Sequence, residues 1–403
     1  MSSGTEARII TFCQELVRLE SLSGEEQAVA EVVEREMRTL GYDEVGRDEL
    51  GSVVGVIRGA RDGGVEAAPG ALLFDAHLDV VPATEPEAWR FPPFAGERAE
   101  GRVWGRGATD VKGSLAALVL ALGTLSRTEI TGTLIVSASV GEERIEGLAV
   151  SHVLAAHPVR AAVICEPTGL RLGLGHRGRA SLVVEAAGRA AHTSQAGAPA
   201  GHPPQAGRGS GINAVYRLAE AIARIRAMTP RADALLGHGH TELVEVSSRP
   251  FPGSAMVPYH ATARFDRRLV RGETRESVLA EMEQALAGLE GLSVHLHTAT
   301  LDCYTGRTFT AEAFHPGWAV AADAPHAQRA RQALEQAGLD RGFFYAPYST
   351  NATATAGHFG LPTLIYGAGD ISAAHAVDES VGVDQLLAAL RGYQTLARGL
   401  AAG

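Results

Sequence analysis

Residues 71–79 read Ala-Leu-Leu-Phe-Asp-Ala-His-Leu-Asp. The first six are apolar apart from Asp75 and do not alternate, as expected of a short strand buried on both faces. The run ends on two residues that carry chemistry, His77 and Asp79. Similar short apolar runs stand at 52–57, 133–140, 161–165 and 362–366, each bounded by Gly, Pro or charge. Helical stretches such as 113–125 lie between them. This alternation predicts an α/β fold, a mostly parallel sheet with helices on both faces.

Upstream, the first 40 residues predict two helices. Ser23-Gly24-Glu25-Glu26 fits a capping box, with Ser23 accepting a backbone N–H and Glu26 reaching back. Val29, Val32, Val33, Met37 and Leu40 then recur at helical spacing, and Gly41 supplies the stop.

Downstream, the middle of the chain changes character. Strand-like runs at 180–185, 242–247, 259–266 and 292–297 interleave with helical stretches at 212–228 and 274–289. The order βαββαβ is the ferredoxin-like plan. Tyr259, Ala261, Ala263 and Phe265 alternate with His260, Thr262, Arg264 and Asp266, which predicts one wet face. The reading is a second domain, 179–304, inserted into a first made of 1–178 and 305–403. The segment 197–211 holds five Gly and three Pro and is expected to form a mobile surface loop.

The chain has 403 residues and a formal net charge of −10. That acidic balance argues against nucleic acid or an anionic membrane as partner, because both select basic surfaces. Cys13, Cys165 and Cys303 are too scattered for a disulfide framework, which favours a reducing compartment. No signal peptide is readable and no apolar run reaches the roughly 18 residues of a membrane helix. A cytoplasmic enzyme is expected.

The sharpest signal is where metal-type ligands fall. His77 and Asp79 end the 71–76 run; Asp110 lies in a Gly-rich turn before a helix; Glu142 and Glu143 follow 133–140; Glu166 follows 161–165; His375 follows 362–366. In an open α/β sheet, ligands bind beyond the carboxyl ends of the strands. Taken singly, a His-x-Asp pair, a Glu-Glu pair or an acid before proline reads as an ordinary surface turn. Five segments delivering His, Asp or Glu to one edge do not. Imidazole plus carboxylate is a zinc-type set, and a shared carboxylate can bridge two ions about 3.5–4 Å apart.

Other signals are weaker. Gly173-Leu174-Gly175-His176-Arg177-Gly178 fits a dinucleotide motif, but a strand-like run follows where a helix is required. His238-Gly239-His240 has no acidic partner at a defined spacing and reads as a loop. Cys165 reads as a small buried hydrophobe. No Gly-x-Ser-x-Gly elbow follows a strand, so Ser-His-Asp catalysis is unsupported.

Five motifs occur in order: Ala76-His77-Leu78-Asp79, Gly105-Arg106-Gly107-Ala108-Thr109-Asp110-Val111-Lys112-Gly113, Gly141-Glu142-Glu143, Cys165-Glu166-Pro167-Thr168 and Ala374-His375. Over nearly the whole chain they resemble the dizinc peptidase and deacylase family of acetylornithine deacetylase, succinyl-diaminopimelate desuccinylase, aminoacylase-1 and carboxypeptidase G (peptidase family M20). Residues 21–26 and 175–179 are similar to the branch labelled selenium-metabolism hydrolases.

The resemblance implies a catalytic zinc domain with an inserted lid and dimerisation domain, and two Zn²⁺ per subunit, with Co²⁺ or Mn²⁺ as substitutes. His77, Asp110 and Glu166 would hold one ion, and Glu143, Asp110 and His375 the other. Asp79 would accept the free N–H of His77. Glu142 would be the general base toward the metal-activated water and then pass its proton to the leaving amine. His192 would cross a dimer interface to stabilise the oxyanion, and Arg268 would grip a substrate carboxylate. Two departures stand out. Ala255 replaces the usual Asn three residues before Pro258, and the stretch between His192 and Asn213 is long. The expected reaction is hydrolysis of the amide of a small N-acyl amino acid. Dipeptide or carboxypeptidase-type cleavage is the alternative, and a catalytically silent binding module a distant third.

Overall fold

The computed structural model describes residues 3–60, 70–195, 211–253 and 255–401. The chain divides into two compact units: 1–176 with 299–311 and 318–403, and 177–298 with 312–317.

The first unit is built on a nine-stranded sheet. Its central strands, Thr133–Ser139, Ala71–His77, Val159–Ile164 and Thr363–Ile365, are mutually parallel. Antiparallel strands flank them, beginning with Val53–Arg58 beside Thr133–Ser139. The absence of alternation in 71–77 has a direct cause. Leu72, Phe74 and Ala76 join the core formed with the helices Ser3–Val17, Gln27–Thr39, Gly113–Gly123 and Val383–Ala401. Ala71 and Leu73 face the opposite way, into a smaller core with Val150 and Val153 of the helix Leu148–Ala156. Both faces of the sheet are therefore covered along 71–77, which is why that strand does not alternate.

Register then sets the site. His77 stands opposite Ser139, and Asp75 opposite Ile164. Ile164 in turn stands opposite Ile365. Parallel strands in this register end together, so the turns that follow His77, Ser139 and Ile164 open on one edge of the sheet.

The second unit contains the βαββαβ order. Strands His240–Arg249, Gly178–Ala187, His260–Leu269 and Leu292–Leu296 form an antiparallel sheet with His240–Arg249 at one edge. Helices Ala214–Arg226 and Arg275–Ala285 cover one face, and their Leu218, Ile225, Val278 and Met282 bury against Ala261, Ala263 and Phe265. Along His260–Leu269, half-exposed and buried positions alternate through all ten residues.

The expected boundary at 304 needs correction. Residues 299–311 belong to the first unit, where Leu301 and Cys303 join its core. The chain then returns, and Phe314–His315 adds a short strand to the second unit's sheet beside Ala180 and Arg179. A two-residue strand carries no readable periodicity. The Gly/Pro-rich segment falls outside the described residues except for Gly211. Among the described residues, no helix is long and apolar enough to cross a membrane.

Candidate metal centre

His77, Asp110, Glu143, Glu166 and His375 come together in the first unit as two groups that share Asp110. The ligand atoms of His77, Asp110 and Glu166 lie within 4.8 Å of one another, as do those of Asp110, Glu143 and His375. His77 Nε2 is 3.1 Å from Asp110 Oδ1 and 3.9 Å from Glu166 Oε1. His375 Nε2 is 3.3 Å from Asp110 Oδ2 and 2.9 Å from Glu143 Oε1. Asp110 thus presents one oxygen to each imidazole. His375 holds a left-handed backbone, φ +58, in a loop entered from a short turn capped by Asp370. Non-glycine residues in that region concentrate at functional sites.

The electrostatics follow from burial. Burial pushes the carboxyls of Glu142 and Glu166 well above their ordinary range, and neighbouring carboxylates add to the effect. Glu143 is raised as well, chiefly by burial. Asp110 moves the other way: against its burial, hydrogen bonds with His375 and His77 hold it low. Hydrogen bonds to Asp110 and Glu143 raise His375 to about 10. For His77, burial opposes the charge, but Asp110, Glu142 and Glu166 overcome it and the pKa is well above its ordinary value. So many acids in so little space require positive charge nearby. The ion pairs of Asp110, Glu143 and Glu166 are with the two imidazoles. A divalent cation would supply that charge while leaving the imidazoles neutral, and oxygen and nitrogen donors in this number fit one.

The support beneath these ligands differs from the sequence-based expectation in two places. Asp79 does not take the His77 N–H through its carboxylate. His77 Nδ1 hydrogen-bonds the backbone carbonyl of Asp79 at 2.9 Å, while Oδ1 is 3.6 Å away. The carboxylate is occupied elsewhere: Oδ1 accepts the N–H of Glu142 and Oδ2 that of Glu143, each at 3.0 Å. Residues at a strand end have lost their ladder partners, and a buried carboxylate satisfies those N–H groups. Nor is there a capping box before Gln27. Ser23 Oγ donates to Asp79 Oδ2 at 2.6 Å, and the Glu26 carboxylate accepts from Gly141 and from Gly24, each at 3.0 Å.

Other supporting residues carried no sequence signal. Buried Glu379 accepts the N–H groups of Thr109 and Asp110, and its second oxygen pairs with Arg106 at 2.6 Å. Asn351 joins Asp75 to the Gly147 N–H at the far end of the Glu142 turn. These contacts span some 200 to 270 positions of chain. Only a motif linking distant segments could have revealed them.

His192 and Arg268 belong to the second unit. The exposed His192 ring accepts the Ser194 N–H at Nδ1, 3.2 Å, which leaves its proton on Nε2. Arg268 Nε pairs with Asp266 Oδ1 at 2.9 Å. Cys165 is fully buried, and burial raises its thiol pKa well above the ordinary range.

Known proteins resemble this chain in sequence and in fold. Residues 73–399 match the model of peptidase family M20/M25/M40. "Uncharacterized protein YgeY" of Escherichia coli (strain K12) is 27% identical over 406 residues, covering 97% of this chain and 94% of that protein. A succinyl-diaminopimelate desuccinylase of Rhodospirillum centenum is 30% identical over 234 residues, 54% of this chain and 56% of its own. Among solved structures, an M20 family metallo-carboxypeptidase, Sso-CP2 from Sulfolobus solfataricus, superposes with a TM-score of 0.74 at 17% identity over the whole of both chains. With its motifs, its sheet and this match agreeing, the chain belongs to peptidase family M20/M25/M40 and is a metallohydrolase.

Proposed function

We propose that the protein hydrolyses the amide of a small N-acyl amino acid, using two zinc ions and Glu142 as general base. The observation that carries this reading is the pair of ligand groups sharing Asp110. His77 and Glu166 would complete one ion's ligands, and Glu143 and His375 the other's. When bound, the ions would polarise the scissile carbonyl and lower the pKa of the attacking water toward about 7. Glu142 takes the water's proton on its carboxylate as the water attacks. It then delivers that proton to the leaving amine nitrogen. Its burial suits a group that must hold a proton away from bulk water between those steps.

The second unit supplies the remaining roles. His192, with its proton on Nε2, is a hydrogen-bond donor suited to a developing oxyanion. Arg268 would hold a substrate carboxylate. The family histidine acts across a dimer, and the strand His240–Arg249 offers the edge for one: Val244 and Val246 are 52% and 54% exposed. A long unpaired edge of this kind is a template for pairing with another chain. Acyl-group removal is favoured by the desuccinylase similarity; cleavage of a dipeptide or C-terminal residue is the second reading, favoured by the carboxypeptidase likeness.

The test is turnover of N-acetyl, N-succinyl and N-carbamoyl amino acids beside dipeptides, with Zn²⁺ and Co²⁺ added separately. Glu142→Ala should abolish turnover of the best substrate while metal stays near two ions per chain. Wild-type turnover in that variant would remove Glu142 as the base. No hydrolysis of any member and less than one ion per chain would favour a silent binding module.

A further inference from the structure

The turn that presents Glu142 and Glu143 leaves the sheet at Ser139 and has three consecutive backbone N–H groups with no ladder partner. Two buried carboxylates take all three. Glu26 Oε1 accepts from Gly141 at 3.0 Å, and the two oxygens of Asp79 accept from Glu142 and Glu143. Gly141 itself has φ +67, and a Cβ there would run into Leu301. The backbone at this point has one tolerated path.

The two carboxylates are fixed from one short segment, 19–26. Ser23 Oγ donates to Asp79 Oδ2 at 2.6 Å, the oxygen that also receives Glu143. Glu26 Oε2 accepts the N–H of Gly24 at 3.0 Å, so its carboxylate spans two turns. The segment is tied down along its length. Lys112 Nζ donates to the Leu19 carbonyl at 2.6 Å, Ser21 Oγ donates to the Leu78 carbonyl at 2.8 Å, and Val80 N–H donates to the Ser21 carbonyl at 2.9 Å. Glu26 is 1% exposed, and among the described residues the groups facing it are Asp79 and backbone N–H groups rather than Lys or Arg. Burying a carboxylate without a cation costs stability, and helix capping would not require it.

We propose that Ser23 and Glu26 are positioning residues for the general base, fixing the main chain from which the Glu142 side chain departs. The proposal rests on Glu142 being the base. Ser23 acts through Asp79, which also grips the neighbouring ligand Glu143. Glu26 acts through the Gly141 amide, one residue before Glu142. A general base works only within hydrogen-bond reach of its proton, and a shift of about 1 Å can cost on the order of 100-fold in rate.

The experiment compares wild type with Ser23→Ala, Ser23→Thr, Glu26→Gln and Glu26→Ala, with Glu142→Ala as the reference. Readouts are kcat and KM on the best substrate of the amide panel, bound metal, and amide hydrogen exchange of a peptide covering 140–147. Ser23→Ala and Glu26→Ala should lower kcat about 10–100-fold with KM within about twofold and metal near two ions per chain. Exchange should quicken in 140–147 and stay as in wild type across 71–77. Ser23→Thr should restore protection and rate, and Glu26→Gln, which keeps one acceptor oxygen, should fall between Glu26→Ala and wild type. Unchanged exchange in 140–147, or a rate loss that follows metal loss alone, would overturn the proposal. If Glu26→Ala does not fold, Ser23→Ala, which removes one hydroxyl, decides by the same readouts. If Glu142→Ala keeps its turnover, the assignment of the base fails first; if it is inactive while Ser23→Ala and Glu26→Gln behave as wild type, only the positioning proposal fails.

Discussion

Glu379 accepts the backbone N–H of Asp110 at 3.0 Å, so the carboxylate shared by both ligand groups is held by its main chain as well as by the imidazoles that face it. The same Glu379 oxygen takes the Thr109 N–H, and the other oxygen pairs with buried Arg106. Glu379→Gln should weaken metal binding about 10–100-fold, read by competition with a chelator. Glu379→Ala should in addition destabilise the fold by about 3–5 kcal/mol, because Arg106 is left as an unpaired buried charge. Wild-type metal affinity in both variants would show that the Asp110 turn holds its shape unaided.

Asp110 serves both groups, whereas Glu166 and His375 each serve one. Asp110→Ala should therefore leave the chain with almost no tightly bound metal. His375→Ala and Glu166→Ala should each retain close to one ion, measured by elemental analysis after gel filtration. Equal losses in all three would mean that neither half-site stands without the other.

Burial raises Glu26 from 4.5 to about 7. Below pH 4.5 the carboxyl is protonated whether the chain is folded or not, and it has no influence on stability. Between 4.5 and 7 the unfolded chain releases the proton first, so rising pH favours unfolding. Above about 7 the effect is complete, at most about 3 kcal/mol. Thermal midpoints of wild type should carry this downward component across pH 4.5–7, and Glu26→Gln should lack it. Parallel curves for the two proteins would contradict the raised pKa.

Gly141 combines a left-handed backbone with a crowded side, where Leu301 meets any added Cβ. Gly141→Ala should cost about 1–3 kcal/mol by thermal or urea unfolding. Gly141→Ala with Leu301→Ala should be less additive than two distant changes, since the second substitution removes the clash. Strict additivity would show that backbone conformation alone is responsible.

The sheet was legible because burial on both faces writes an unalternated run, as at 71–77, and the metal ligands because they follow such runs directly. The alternation at 259–266 carried the second unit in the same way. What sequence reading missed shares one cause. Ser23, Glu26, Arg106, Asn351 and Glu379 act through contacts to segments far along the chain. Local pattern cannot reveal a partner so distant. Ser23-Gly24-Glu25-Glu26 was misleading for a specific reason: its hydroxyl and carboxylate have the chemistry of a helix cap, and they spend it on Asp79 and Gly141 instead. The short return strand Phe314–His315 was missed because two residues hold no period.

At 109–110 and 141–143, the contacts made by Glu379, Glu26 and Asp79 end on peptide N–H groups, which every residue but proline possesses. The frame of the centre is thus indifferent to what the ligand positions display. Exchanging a carboxylate for an amide or an imidazole at 110, 142 or 143 leaves the clamps with the same atoms to hold. A centre mounted in this manner can be refitted one side chain at a time, with its chemistry changing while the mount stays put.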